Sequence, residues 1–301
     1  MTSPLATEAA PFGRVLTAMV TPFTSDGQVD LEAVQKLARH LVDSGSDGIV
    51  VSGTTGESAT TTGEEDGRTL AAVLEAVGDD ATVIAGVGTN DTRHSVELTE
   101  QAVKVGAHGL LLVTPYYNKP PQAGIIAHAR TVADAAGDVP IMLYDVPHRT
   151  GLQIAYETYL ELEGDERFLA IKDATGDLER GARLIGQTRY AVYSGDDSIC
   201  LPWFALGAVG VVSVASHAVA REYADMIRAV DAGDLVAARD LSTRLLPVLA
   251  GLGVTQGAIT SKVALKLLGV LEHDTVRSPL VPATPDEVEA VRAGLAAAGL
   301  L

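Results

Sequence analysis

Lys172 directly follows the apolar run 168–171, in a chain with few basic residues. A charged ammonium in an apolar interior costs several kcal/mol unless it is paired, so such a lysine either forms an ion pair or has a lowered pKa. One interpretation is a salt bridge to Asp173 or to a loop carboxylate. The other is a neutral amine that attacks a ketone carbonyl and holds the substrate as an imine. This segment by itself leaves both interpretations open.

A second polar segment, Gly-Thr-Thr-Gly-Glu at residues 53–57, follows another apolar run. It could be only a flexible turn between a strand and a helix. Alternatively, the hydroxyl groups of Thr54 and Thr55, together with backbone N–H groups that glycine leaves accessible, could hold a small carboxylate. The segment is therefore a candidate anion site.

Three tyrosines and one arginine also lie just after or within apolar runs. Tyr116, Tyr117 and Tyr144 could simply pack, or their phenols could donate and accept protons in a carbanion reaction near Lys172. Arg149 could be a solvated surface residue. Its alternative role is to bind a carboxylate through the bidentate geometry of the guanidinium group.

Short runs rich in Val, Ile and Leu precede these residues, and helix-length amphipathic stretches separate the runs. This alternation is typical of βα units around a parallel sheet. Strands are predicted at 15–21, 48–52, 82–87, 109–114, 140–145, 168–173, 191–194 and 210–214. Helices are predicted at 31–44, 64–77, 92–105, 122–136 and 220–232. Eight units in about 230 residues favour a closed (β/α)₈ TIM barrel over an open doubly wound sheet, and place the chemistry at the carboxyl ends of the strands.

We predict two parts of the chain. Residues 1–233 form the barrel that carries the active site, and residues 234–301 form a C-terminal helical extension. The strand pattern stops after Asp234, and apolar positions recur at helical spacing in 235–249, 255–268 and 285–298. The added helices are candidates for subunit contacts.

The charge balance makes nucleic acid and membranes poor partners. The chain has 22 Lys and Arg against 39 Asp and Glu, and its net charge of -17 repels phosphate backbones and anionic lipid. Residues 1–10 lack the regions of a secretory signal, and proline and glycine interrupt the long uncharged stretch 198–220. The single cysteine, Cys200, excludes an intrachain disulfide and favours a reducing cytoplasm.

No motif indicates a metal or a nucleotide cofactor. The Gly-Val-Gly sequence at 86–88 lacks the third glycine of a dinucleotide fingerprint, and no phosphate-binding Gly-Lys-Ser/Thr run occurs. The seven histidines do not form a helical metal-binding pair. We therefore expect neither a metal nor a nucleotide cofactor.

Five motifs occur in order along the chain: 53–57 (Gly-Thr-Thr-Gly-Glu), 114–118 (Thr-Pro-Tyr-Tyr-Asn), 144–151 (Tyr-Asp-Val-Pro-His-Arg-Thr-Gly), 171–176 (Ile-Lys-Asp-Ala-Thr-Gly) and 194–197 (Ser-Gly-Asp-Asp). Together they resemble the dihydrodipicolinate synthase and N-acetylneuraminate lyase superfamily, and they are most similar to its synthase branch. The resemblance covers nearly the whole chain and favours the imine interpretation of Lys172.

The resemblance implies a role for each candidate residue. Lys172 would be the Schiff-base lysine, Tyr144 the proton relay and Thr54 its hydrogen-bond partner. Tyr117 would complete the relay from a neighbouring subunit. The implied substrate-binding residues are Thr55 for the carboxylate of pyruvate, Arg149 for the carboxylate of the second substrate, and Gly195 and Val212 for the shape of the pyruvate pocket.

The implied activity is that of a class I aldolase-type lyase without a cofactor, which condenses pyruvate with L-aspartate 4-semialdehyde in lysine and diaminopimelate biosynthesis. The resemblance also implies a homotetramer built as a dimer of dimers, with the dimer as the minimal active unit. The resemblance thus implies a cytoplasmic enzyme that acts on small anionic substrates.

Two departures from the synthase pattern are Asp145, where the synthases usually have Asn, and His148, where a small residue is frequent. The main alternative is another pyruvate-dependent lyase, acting on a sialic acid or a 2-keto-3-deoxy sugar acid. Arg149 argues against it, because the resemblance implies that those lyases lack this arginine. A non-catalytic ligand-binding or transcription-linked barrel would require that Lys172 forms no imine.

We predict weak or absent inhibition by L-lysine. In lysine-inhibited members of the superfamily, histidines follow the Gly-Glu-Ser turn, whereas this chain has Gly63 and Asp66 in that segment. His94 likewise replaces an expected Glu. A lysine titration of the condensation reaction measures this directly, and clear inhibition at submillimolar lysine would contradict the prediction.

Overall fold

A computed structural model describes residues 9–301, and its eight strands form one closed parallel barrel. Each strand pairs with the next along the chain, and β1 closes the ring by pairing with β8. The predicted TIM-barrel fold is confirmed. The strands are β1 (Val15–Ala18), β2 (Gly48–Val51), β3 (Thr82–Gly86), β4 (Gly109–Val113), β5 (Ile141–Asp145), β6 (Phe168–Asp173), β7 (Ala191–Ser194) and β8 (Gly210–Ser213).

Twelve α-helices lie within the described part of the chain. Polar caps set several of their starts; for example, Thr62 and Glu65 form a reciprocal capping box at the first turn of α2. The helices are α1 (Leu31–Asp43), α2 (Gly63–Val77), α3 (Thr92–Val105), α4 (Gln122–Ala136), α5 (Pro147–Thr150), α6 (Tyr156–Leu162), α7 (Leu178–Gln187), α8 (Cys200–Leu206), α9 (Ser216–Asp231), α10 (Leu235–Leu252), α11 (Gly257–Leu267) and α12 (Pro285–Ala297).

The predicted helices α1 to α4 and α10 to α12 agree with the structure to within a few residues. No single helix of residues 9–301 has both the length and the apolar composition to cross a membrane. Helices α10 and α11 meet both criteria only when they are taken together, and the pair is bent by 108°. The uncharged stretch 198–220 forms a short helix followed by a buried strand, as predicted. Residues 1–8, which begin the N-terminal segment considered above, lie outside the described residues.

Two predicted boundaries are wrong for local reasons. The first strand ends at Ala18 and not at residue 21, because the Val20 N–H donates to Nε2 of His217 (3.1 Å) and not to a neighbouring strand. The helix predicted at 220–232 begins at Ser216, and Val219 interrupts its first turns with a φ of -136°. The carboxyl ends of β1 and β8 are therefore joined through a buried histidine.

Side chains alternate between two apolar regions along each strand. One set fills the barrel interior and includes Leu16, Val50 and Met142, and the other packs between the sheet and the helices. The register pairs Tyr144 with Lys172 and Asp145 with Asp173 across β5 and β6. Because Tyr144 belongs to the interior set, alternation places Lys172 inside with it and turns both aspartates outwards.

Arg180 binds both of those aspartates behind the barrel wall. Its side chain, which lies on α7 and is 9% exposed, donates to Asp145 (2.9 Å), to Asp173 (2.7 Å) and to the carbonyl of Ile154 (2.7 Å). Charge-assisted bonds of this kind hold their partners in a defined geometry. The ends of β5 and β6 are thus fastened together directly behind Tyr144 and Lys172.

Burial raises the pKa of Asp145 from 3.8 to about 6, although Arg180 favours the charged form. Because the folded pKa lies above the unfolded one, the stability that this group contributes is full below about pH 4 and is lost as the pH rises through about 6. We expect Asp145→Asn to remove that loss. The melting temperature of the variant should exceed that of the unmodified protein by about 4 °C at pH 8. A gain of about 1–2 kcal/mol in the free energy of unfolding gives a shift of this size in a domain of this length.

Thermal unfolding at pH 4 and pH 8 tests this expectation, and the gain should vanish at the lower pH. Asp165→Asn is the matched control, because Arg167 lowers the pKa of Asp165 and the same substitution there should not stabilise the protein at pH 8. A lower melting temperature for Asp145→Asn at pH 8 would show that the ionised pair is net stabilising.

Candidate active site

A cavity of about 340 Å³ opens at the carboxyl ends of the strands. It brings together residues that are up to 239 positions apart, from Ala18 to Gly257, as expected for loops at this end of a TIM barrel. Six of the eight predicted site residues line it: Thr54, Thr55, Tyr144, Arg149, Lys172 and Gly195.

Lys172 projects from β6 into the barrel and is 6% exposed. Its amine lies 4.2 Å from the centroid of the Tyr144 ring, and it forms no ion pair with a carboxylate within residues 9–301. The salt bridge to Asp173 considered above is absent there, since Asp173 faces Arg180. Burial lowers the pKa of Lys172 to about 8, opposed by the charge of Asp197 and assisted by that of Arg149. About half of the amine is therefore neutral at pH 8.

Tyr144 presents a neutral phenol beside that amine. Burial raises its pKa to about 12, with a smaller opposing effect from Arg149. A phenol of this kind keeps its proton at neutral pH and can donate it to an oxygen that gains negative charge. An amine that can lose its charge and a phenol that retains its proton thus lie side by side.

The turn at 53–57 borders the cavity and is held by hydrogen bonds to its backbone carbonyls. The Glu57 N–H donates to the carbonyl of Thr54 (3.1 Å), and the hydroxyl of Thr21 donates to the carbonyl of Gly56 (2.7 Å). The side chains of Thr54 and Thr55 remain accessible on the cavity wall. Both side chains can therefore contact a small anion in the cavity.

Gly195 and Val212 differ in their relation to the cavity. A Cβ atom at Gly195 would lie 3.0 Å from Cγ of Lys172 and 3.0 Å from Cβ of Ala174, so any larger residue would press on the amine-bearing side chain. Val212 is buried in the interior cluster that contains Tyr144 and does not line the cavity. Val212 can shape the pocket only from beneath its surface.

Arg149 lies on the short helix α5 at the rim of the cavity, where its side chain is exposed. One guanidinium nitrogen donates to the side-chain oxygen of Gln256 (3.3 Å). The guanidinium therefore stays accessible to a ligand anion.

Tyr117 is the second predicted site residue, besides Val212, that does not line this cavity. Its side chain is 88% exposed, and it lines a neighbouring cavity of about 820 Å³ that shares Thr54 and Arg149 with the first. Its φ of 72° lies in the left-handed region, so the surrounding loop must hold it there. In a single chain the phenol of Tyr117 points to solvent.

Comparison with known proteins identifies the family. A model of the dihydrodipicolinate synthetase family matches residues 11–298. This chain belongs to that family. It is 57% identical over 301 residues to the 4-hydroxy-tetrahydrodipicolinate synthase of Kineococcus radiotolerans, an alignment that covers 99% of this chain and 97% of the relative.

Solved structures of dihydrodipicolinate synthases share the fold closely. The enzyme of Cyanidioschyzon merolae, solved with lysine bound, superposes with a TM-score of 0.94 at 44% identity, covering 96% of this chain and 99% of the other. The chloride-inhibited enzyme of Acinetobacter baumannii, solved in complex with pyruvate, gives 0.91 at 35% identity, covering 96% and 99%. The roles assigned to individual residues above stay predictions for this family member.

The structure adds residues that the sequence analysis missed. Asp197 lines the cavity and accepts hydrogen bonds from the backbone N–H groups of Val214 (2.9 Å) and Ala215 (3.0 Å). Its position in the Ser-Gly-Asp-Asp motif was a usable signal. No comparable signal marks the cavity-lining residues from the end of α10 and the start of α11, which are Leu249, Leu252, Gly253, Thr255 and Gly257.

We expect Lys172 to react as an amine whose charge is lost near pH 8. Labelling by acetic anhydride, followed by mass spectrometry of peptides between pH 6 and 10, should give a midpoint at about 8 for Lys172, because only the neutral amine reacts. Exposed Lys104 serves to normalise for the reagent. A midpoint above pH 10 would mean that burial does not disfavour the charged amine.

Proposed function

We propose that this family member is a 4-hydroxy-tetrahydrodipicolinate synthase, a class I aldolase-type lyase that condenses pyruvate with L-aspartate 4-semialdehyde for lysine and diaminopimelate biosynthesis. The observation that carries the proposal is the buried amine of Lys172, which has a lowered pKa of about 8 and lies 4.2 Å from the centroid of the Tyr144 ring. The names of the relatives, and the pyruvate complex of the Acinetobacter baumannii enzyme, support the choice of substrates.

The first half of the reaction makes a carbon nucleophile from pyruvate. The neutral amine of Lys172 attacks the C2 ketone and forms a C–N bond, while Tyr144 donates a proton to the ketone oxygen and regains one from the attacking nitrogen. Tyr144 then protonates the hydroxyl group, which leaves as water and gives the protonated imine; the phenolate of Tyr144 is reprotonated in the next step. The imine is an electron sink that lets the neighbouring methyl group lose a proton, which produces the enamine. Thr55 holds the carboxylate of pyruvate, and Thr54 orients Tyr144.

The second half joins the two substrates and frees the enzyme. The enamine carbon attacks the aldehyde of the semialdehyde, a C–C bond forms, and the aldehyde oxygen takes up a proton. The amino group of the same substrate then attacks C2, and the C–N bond to Lys172 breaks. This transimination closes the product ring and returns Lys172 as an amine.

Arg149 is the proposed selector of the second substrate. Its accessible guanidinium group at the rim of the cavity can bind the carboxylate of the semialdehyde through two parallel hydrogen bonds. A sialic acid or sugar-acid lyase is the second candidate, and the position of an arginine at this rim favours the synthase over it.

We also propose that the active enzyme is at least a dimer, with a dimer of dimers as the assembly. The exposed Tyr117 lines a cavity that shares Thr54 with the site, so it is well placed to enter a neighbouring subunit's proton relay. The C-terminal helices are the proposed subunit contacts. The single cysteine, which is buried and free, supports a location in the reducing cytoplasm.

We expect incubation with pyruvate and borohydride to add one reduced pyruvate to the intact protein. Lys172→Ala should abolish the adduct, because no other described lysine lines the cavity. Arg149→Met is the matched variant, which should keep the adduct but lose at least about tenfold in kcat/KM for the semialdehyde, since it removes one charged contact. Intact-mass analysis and a coupled condensation assay measure both effects.

Each alternative outcome has a definite meaning. An adduct without turnover of aspartate semialdehyde would retain the lysine chemistry and move the function to the sugar-acid lyases. The absence of any adduct in the unmodified protein would refute the proposed function.

A further inference from the structure

A buried ion pair links the C-terminal extension to the turn that carries Thr54 and Thr55. Lys262 on α11 is 0% exposed, and its partner Glu57, which ends the Gly-Thr-Thr-Gly-Glu motif, is 2% exposed. The two residues are 205 positions apart in the chain. An ion pair so deeply buried between distant segments requires an explanation.

The C-terminal segment holds both oxygens of the Glu57 carboxylate. The amine of Lys262 donates to one oxygen and also to the carbonyl of Thr275 (2.8 Å), and the backbone N–H of Arg277 donates to the other oxygen (2.9 Å). The ring of Phe23 lies 4.0 Å from the same amine. Glu57 is therefore fixed on two sides by residues that follow the barrel.

Glu57 in turn sets the path of the backbone that precedes it. Its N–H donates to the carbonyl of Thr54 (3.1 Å), and its own carbonyl accepts from the N–H of Thr60 (2.8 Å). Its φ of 60° lies in the left-handed region, which a non-glycine residue keeps only where its surroundings hold it. We therefore expect a shift of the Glu57 carboxylate to displace the turn that carries Thr54 and Thr55.

Stability alone does not explain this arrangement. Two charges that leave water incur a large desolvation penalty, and well-packed apolar side chains of similar volume often serve a core as well or better. Neither Glu57 nor Lys262 lines the cavity, so neither can touch a substrate. What the pair does provide is a directional restraint on a turn next to the cavity.

We propose that Lys262 is a positioning residue for substrate binding, which acts through Glu57 to hold the turn at 53–57 and, with it, the Thr55 hydroxyl that binds the carboxylate of pyruvate. The proposal rests on the proposed function and assigns a role to the C-terminal extension. Helix α11 preorganises the anion-binding turn at 53–57, whose Glu57 lies 205 positions before Lys262 in the chain. Preorganisation of this kind is expressed in affinity, because the turn need not be ordered when the ligand binds.

The test compares Lys262→Met, the double variant Glu57→Gln/Lys262→Met, and the control Leu265→Ala. Methionine fills the space of the lysine stem without its charge. Leu265 lies on the same helix and is fully buried, so its truncation lowers stability without touching the pair. For each protein, adduct formation on Lys172 with borohydride is measured against pyruvate concentration, together with thermal unfolding and the pH dependence at saturating pyruvate.

We expect the pyruvate concentration for half-maximal adduct formation to rise about tenfold in Lys262→Met, with the pH midpoint at saturation unchanged. The double variant should be more stable than Lys262→Met, because it leaves no unpaired carboxylate buried. Its pyruvate concentration for half-maximal adduct formation should stay raised. Leu265→Ala should melt earlier but bind pyruvate normally.

Three results would overturn the inference. The first is an unchanged pyruvate concentration for half-maximal adduct formation in Lys262→Met, and the second is an equal rise of that concentration in Leu265→Ala. The third is normal pyruvate binding in the double variant. If Lys262→Met does not fold, the double variant provides the measurement. Failure of the unmodified protein to form any adduct would instead refute the proposed function, and the inference with it.

Discussion

The desolvation of the Lys172 amine is the constraint on which the site depends. Buried in the barrel, the amine has a pKa of about 8, which makes it a nucleophile at a pH where an exposed lysine is almost fully charged. That effect would disappear if a carboxylate approached within bonding distance. Asp197 is near enough to raise the pKa, but two backbone N–H groups and the Ser213 hydroxyl bind its oxygens. The charge of Asp197 is thus held in a fixed position.

The two-residue period of β-strands separates reactive groups from structural charges. Tyr144 and Lys172 face the interior, and Asp145 and Asp173, which follow them directly, face the helices. A slip of one residue would exchange the two sets and place two carboxylates in the cavity. Arg180 opposes that slip, because it binds both aspartates on the outer side. The same guanidinium that compensates buried charge therefore also maintains the register behind the nucleophile.

The barrel does not complete its own active site. Residues from the end of α10 and the start of α11 line the cavity, and Gln256 contacts Arg149. Lys262 and the backbone of Arg277 hold the turn at 53–57 from outside the barrel. The division at residues 233 and 234 stays a prediction about chain organisation. The side chains that line the cavity, and the residues that hold them in place, come from both the barrel and the C-terminal extension.

The amino-acid sequence by itself determined the barrel, because eight apolar runs alternate with amphipathic helices. With Gly195 added by the family resemblance, it also marked Lys172, Tyr144, Thr54, Thr55 and Arg149 through motifs at the ends of those runs. These are local signals. The tertiary structure alone decided that Asp173 pairs with Arg180 and that Lys172 has no carboxylate partner within residues 9–301. It further decided that Val212 lies beneath the cavity and that Tyr117 points to solvent. It also decided that Lys262 meets Glu57. Such pairings join residues far apart in the chain, and only the closed packing of strands and helices brings their charges together.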